Sequence, residues 1–215
     1  METLNRRPLK TRSMPWAGAL ARRLAQMGAT PNGVSVLGIF IALGGGAALF
    51  GAGAGEGGQR ALLLGVGAVC IQLRLLCNML DGLIAVECGL KSKVGDLYNE
   101  VPDRLEDCAL LLGAGVASTV AYGVHLGWAA AILAVATAYV RVLGGSLGFA
   151  QDFCGPMAKQ HRMFFLTVAC LLGAAEALFL ESRVAVAAGL LLILSGSLVT
   201  FIRRLRRIAR ALHTR

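Results

Sequence analysis

The sequence predicts an all-α, polytopic membrane protein, six transmembrane helices preceded by an amphipathic helix lying on the membrane surface. Three observations carry that prediction. Of the 215 residues, 56% are hydrophobic and only 15% charged, where an average soluble domain has roughly 45–50% and about 25%. The apolar residues are gathered into six long runs, each close to the roughly 20 residues that a bilayer-crossing helix needs. The 21 Lys+Arg against 12 Asp+Glu give a formal charge of +9, and the excess lies in the connections between runs, as in membrane proteins. A basic balance also marks nucleic-acid-binding domains, but those are not this apolar and rarely hold 28 glycines. No nucleic-acid partner is expected.

The elements follow in order. Residues 1–32 form a basic segment with Arg6, Arg7, Lys10, Arg12, Arg22 and Arg23. Within it, Trp16, Ala17, Leu20, Leu24 and Met27 recur at helical spacing, predicting the surface helix. Thr30-Pro31-Asn32 reads as a cap and turn before the first span. Apolar runs follow at 33–52, 61–86, 97–119, 126–148, 163–181 and 184–202, so that 33–202 is one six-span domain, and 203–215 is a basic cytoplasmic tail predicted to lie as a membrane-surface helix. No cleavable signal peptide is expected, because the basic start has no short apolar core followed by a small-residue cleavage site. Six cysteines show no C-x-x-C or Cys/His metal spacing and read as small buried residues.

Loop charge predicts orientation. The N-terminal segment, the second and fourth loops (Lys91, Lys93, Lys159, Arg162) and the tail hold sixteen Lys/Arg; the opposite loops hold only Arg60 and Arg183. Both termini are therefore expected in the cytoplasm of an inner-membrane-type bilayer.

The acids are concentrated. Asp81, Glu87, Asp96, Glu100, Asp103, Glu106 and Asp107 are seven of the twelve, all between positions 81 and 107. Ionisable groups inside a span are costly and point to function. At about 100° per residue, Asp96, Asn99, Glu100, Asp103, Glu106 and Asp107 share one face about 120° wide. Arg74, Asn78 and Asp81 share a face on the preceding span, and the short loop between makes the two spans antiparallel neighbours. Crowded carboxylates need a cation between them, and oxygen-liganded Mg²⁺ fills that role beside substrate phosphates. The competing reading is an acid face neutralised by Arg74, Arg104 and Arg141 without metal; three arginines on three spans match six acids poorly.

These residues resemble a known family. CDP-alcohol phosphatidyltransferases carry D-x2-D-G-x2-A-R-x8-G-x3-D-x3-D across the second and third of six spans. This chain reads Asn78-x2-Asp81-Gly82-x2-Ala85-Val86-x8-Gly95-x3-Asn99-x3-Asp103, with every spacing kept. Asn stands at the first and third acid positions and Val86 at the family's Arg, so the chain resembles a divergent bacterial-type member.

The resemblance implies a metal-dependent transfer of a phosphatidyl group from CDP-diacylglycerol to a small alcohol, with release of CMP. It implies Mg²⁺ or Mn²⁺ held by Asn78, Asp81, Asn99 and Asp103, with Glu100 and Asp107 on the same face able to contribute. Asp103 would also be the general base. Gly82, Ala85 and Gly95 would let the CDP moiety approach the backbone. A homodimer is implied too. Arg141, Lys159 and Arg162 cluster at the cytoplasmic ends of later spans and point to a phosphorylated acceptor such as glycerol 3-phosphate. Two other readings use the same acidic face: a non-catalytic nucleotide- or lipid-binding relative, and a cation or metabolite transporter.

Overall fold

The structure is a computed structural model that describes residues 15–180 and 182–214. Arg6, Arg7, Lys10 and Arg12 of the basic segment lie outside the described residues, as do Glu181 and Arg215. Among the described residues there are seven helices and no strand: α1 Pro15–Gln26, α2 Pro31–Ala54, α3 Gly57–Glu87, α4 Gly95–Ala117, α5 Gly123–Ser146, α6 Lys159–Phe179 and α7 Ala185–His213. The predicted start of α2 forms as expected. Thr30 is extended and its hydroxyl accepts from the Gly33 amide, and Pro31 supplies the first helical residue.

Helices α2, α3, α5, α6 and α7 are long and apolar enough to cross a membrane. The exception among the long helices is α4, 23 residues that hold Asp96, Glu100, Asp103, Arg104, Glu106 and Asp107 toward its N-terminal end. Two other expectations change. α7 does not end where its apolar run ends but continues unbroken to His213. The reason is that its basic end is part of the bundle. Arg204 is buried and donates to the carbonyls of Thr137 and Cys154, while Thr200 accepts from the Met157 amide. These bonds tie the 147–158 connection down, at a bend where Gly155 has φ +118° and a Cβ would stand 2.7 Å from Thr200 Oγ1.

α1 forms where predicted, and only part of the expected apolar face, Ala17, Leu20 and Leu24, packs inward. Ala17, Gly18 and Ala21 are buried against Leu80, Leu83 and Ile84 of α3, whereas Trp16 and Met27 are exposed. Small residues on α1 let its backbone approach α3, and Arg22 reaches Glu87 at 3.4 Å.

α2 packs against both α3 and α4, and the ring is completed by α3 on α6, α4 on α5, α5 on α7 and α6 on α7. Glycines make the α2–α4 seam. A Cβ on Gly46 would stand 2.7 Å from the Ala109 carbonyl oxygen, and one on Gly113 would press on the Gly46 carbonyl oxygen. Leu49, Leu64, Ile71, Leu110, Leu111, Met163 and Leu190 fill the centre. At one end Arg60 is buried and donates to Ala52 O (2.6 Å) and Ala117 O (2.7 Å), satisfying carbonyls at the ends of α2 and α4. Near it the Glu176 carboxylate accepts from the amides of Val184 and Ala185 and so caps α7.

Because α2 sits between them, α3 and α4 are not closely packed neighbours as the short loop predicts; long polar side chains span the space instead. Asp107, 1% exposed, accepts from Arg74 of α3 and, at 2.7 Å, from Arg162 of α6. Arg74 also pairs with Glu106 at 2.9 Å, and Arg162 reaches Thr137 of α5 at 3.3 Å. One carboxylate thus joins three helices at the level just below the candidate site.

Three substitutions test this construction by thermal unfolding in detergent. Gly113→Ala is expected to destabilise by about 1–3 kcal/mol through overpacking. Gly44→Ala, with nothing within 4 Å of its Cβ, is expected to be neutral or stabilising by up to about 1 kcal/mol. Asp107→Asn leaves buried guanidinium charge uncompensated and is expected to cost about 3–5 kcal/mol. Equal melting temperatures for Asp107→Asn and the unsubstituted chain would remove the network from its central place.

Candidate active site

The site is built one turn above Asp107, at the end of the bundle where α3 finishes and α4 and α6 begin. Asp103 on α4 and Asn78 on α3 face one another because each is on its helix's polar face, four residues from Asp107 and Arg74 respectively. The Asn78 side-chain amide donates to Asp103 Oδ1 at 2.8 Å and to Glu106 Oε2 at 3.2 Å. Lys159, the first residue of α6, places its ammonium on the same Asp103 oxygen. Arg104 donates to Asp103 Oδ2 at 3.3 Å. Asp81 is buried beside this group and accepts a hydrogen bond from Ser35 of α2 at 2.7 Å; its other oxygen, also buried, has no partner.

A second cluster stands closer to the loops. Both Glu100 oxygens accept from Arg141 of α5, at 2.6 and 2.7 Å. Arg141 also holds Gln151 and lies 5.3 Å from the centre of the Phe153 ring. Arg104 lies 3.7 Å from Glu100 and joins the two clusters.

The predicted site residues therefore do not all come together. Asn78, Asp103 and Lys159 come together directly, with Asp81 alongside. Gly82 and Ala85 are half-buried on α3 near Asp81, and a Cβ on Gly95 would make only ordinary contact, 3.5 Å from Ser92 Oγ. Space beside Gly95 is thus not claimed by protein packing. Asn99 is exposed and is not drawn into the cluster.

Two expected roles need correction. Asp107 does not offer oxygens to a metal, since both are taken by arginines; Arg162 is not an open phosphate anchor, since it is buried on Asp107, Thr137 and the Met157 carbonyl. Both belong to the supporting network.

The expectation that three arginines cannot balance the acids is also revised. Arg74, Arg104, Arg141, Lys159 and Arg162 all point at acids, and Asp81, Glu100, Asp103, Glu106 and Asp107 are five carboxylates to their five cations. The two extra cations come from α6, more than fifty residues downstream of Asp103. Ser35 and Glu106 enter the site without having been singled out for it. Ser35 had a signal, a lone hydroxyl four residues after the Pro31 turn in an otherwise apolar run.

The donor set does not fit a divalent cation as it stands. Asn78 presents its amide donors to the acids, Asp103 is taken up by an ammonium and a guanidinium, and Glu100 and Asp107 are in ion pairs. Among the described residues no group of three or more His, Cys, Asp or Glu is arranged to hold a metal.

No family model and no curated protein matches the sequence. The fold does match solved structures. The crystal structure of Mycobacterium tuberculosis phosphatidylinositol phosphate synthase (PgsA1) with CDP-DAG bound is similar at a TM-score of 0.74 and 22% identity, over 89% of this chain and 92% of that one. The same enzyme in complex with manganese and citrate gives 0.74 and 22%, over 89% and 88%. Its apo form gives 0.68 and 23%, over 87% and 93%. This chain shares the helical fold of that enzyme over nearly its whole length.

Proposed function

We propose that this chain is a membrane enzyme of the CDP-alcohol phosphatidyltransferase type, moving a phosphatidyl group from CDP-diacylglycerol to a small alcohol and releasing CMP. The observation that carries the reading is positional. The motif residues Asp81, Gly82, Ala85, Gly95 and Asp103 stand at one end of a fold shared with a synthase whose crystal structure holds CDP-DAG.

In this reading Asp103 Oδ takes the proton of the acceptor hydroxyl as its oxygen attacks the phosphorus bearing the diacylglycerol. The bond from that phosphorus to the bridging oxygen breaks, and the electron pair leaves with CMP. Arg104 and Lys159, each about a fifth exposed, face the charge that develops on the leaving group. Arg141 is the remaining candidate for an acceptor phosphate such as that of glycerol 3-phosphate, which would take it from Glu100. The chemistry expected from the resemblance uses a divalent metal; the donor set here gives no ground for routing a step through one.

The membrane reading goes with this. α4 is proposed as a sixth crossing, its charges turned into the bundle, and its 23 residues span about 35 Å against a hydrocarbon core of about 30 Å. α1 would lie at the interface, with both termini and the site on the cytoplasmic side of the membrane and a homodimer as the working assembly. The domain division proposed is a basic segment to residue 32, the six-span unit to 202, and a basic end that continues α7.

A second reading is favoured by the Lys159–Asp103 pair. Both Asp103 oxygens are engaged, Oδ1 by Asn78 and Lys159 and Oδ2 by Arg104, leaving neither open to an acceptor hydroxyl, so the chain would bind the nucleotide lipid without turning it over. A transporter is disfavoured, because at the far end Glu176 is a helix cap and Glu56 is an exposed partner of Arg183.

Purified protein given CDP-diacylglycerol and a panel of alcohols and phospho-alcohols is expected to release CMP, with the lipid product identified by mass spectrometry. Asp103→Asn should lower the rate about 100-fold or more. CDP-diacylglycerol binding with no CMP release for any acceptor would establish the second reading instead.

A further inference from the structure

The charge balance of the site extends the reading above. Four carboxylates, Glu100, Asp103, Glu106 and Asp107, pair with five cations, Arg74, Arg104, Arg141, Lys159 and Arg162, and Asp81, held by Ser35, brings the carboxylates to five. The set is formally neutral. A divalent cation added to it would bring two uncompensated positive charges into a partly desolvated cluster, at a cost that grows as the local dielectric falls.

Positions 78 and 99 account for the difference. Each holds an asparagine where the motif has an aspartate. An aspartate at 78 would add one negative charge within the cluster and one at the exposed position 99 a second at its edge, together the complement of one divalent cation. With both removed, no such surplus exists.

Lys159 fills the electrostatic role that remains. Its ammonium sits on Asp103 Oδ1, the oxygen that also accepts from the Asn78 amide, so it pairs with the motif position where the charge is kept. A lysine ammonium has three donor hydrogens and no acceptor. With one hydrogen on Asp103 and the side chain about a fifth exposed, the others remain for an entering phosphate. Arg104, similarly exposed, adds a planar donor on the other side of Asp103.

We propose that this site binds the diphosphate of a nucleotide-linked lipid without a divalent cation, the Lys159 ammonium on Asp103 standing in for the metal charge. The identity of the anion rests on the function proposed above; the absence of a metal requirement does not.

Two measurements separate these. Purified protein without lipid is titrated with Mn²⁺ and free Mn²⁺ is followed by electron paramagnetic resonance. The unsubstituted chain is expected to show no saturable binding up to millimolar Mn²⁺, and Asn78→Asp/Asn99→Asp/Lys159→Gln is expected to gain a saturable site. Saturable submillimolar binding by the unsubstituted chain would overturn the proposal. CDP-diacylglycerol binding in mixed micelles is then compared with EDTA and with Mn²⁺ present. Equal affinity is expected in both, weakened about tenfold or more by Lys159→Gln and retained by Lys159→Arg. Loss of lipid binding in EDTA alone also overturns it. Should the lipid bind under neither condition, the function reading fails and the Mn²⁺ titration still decides the metal question. Melting curves of each variant distinguish lost binding from lost folding.

Discussion

The structure depends on one buried carboxylate shared by two guanidinium groups. Asp107 accepts from Arg74 and Arg162 and so connects α3, α4 and α6 where α2 keeps α3 and α4 apart. Three charged groups removed from solvent are costly individually, and their mutual attraction offsets that cost only while all partners are in place. The arrangement therefore specifies the relative rotation of the helices more than it adds stability. Everything one turn above it, including the approach of Asn78 and Lys159 to Asp103, inherits its geometry from that register.

The two ends of the bundle solve different problems with the same residue type. Far from the site, Arg60 closes the last carbonyls of α2 and α4, and Glu176 closes the first amides of α7. These side chains bond backbone groups and not one another's charges. At the site end the charged side chains meet one another, and their partial exposure leaves donors facing outward. Arg204 is intermediate, a buried side chain on backbone carbonyls that holds the 147–158 connection against α7 and thereby sets where α6 begins. Lys159 is placed on Asp103 by that connection.

Charge neutrality also bears on how a shared fold can host different chemistry. The likeness to the synthase of Mycobacterium tuberculosis is one of backbone, at 22% identity. Within such a backbone the electrostatics of the site are set by a few side chains, here Asn78, Asp103 and Lys159. Fold and site are separable in this way because the supporting network lies a turn deeper and is built from different residues.

Much of the fold was legible in the sequence because hydrophobic periodicity and span length act locally. The helix starts, the Thr30–Pro31 cap and the clustering of acids on one face of α4 all depend on residues within a few turns of each other. The acid face and its motif spacing put Asn78 and Asp103 on facing polar surfaces, and the two side chains are hydrogen-bonded. What neutralises that face was not legible. Lys159 and Arg162 lie on a helix more than fifty residues away, and a run of basic residues at a loop reads equally well as an anchor to anionic lipid. Only the packing of α6 against α3, with α2 separating α3 from α4, brings those cations inward and closes the charge balance. Sequence by itself determined which faces are polar; tertiary structure decided which charges meet, because electrostatic pairing depends on distance in space and not on separation along the chain.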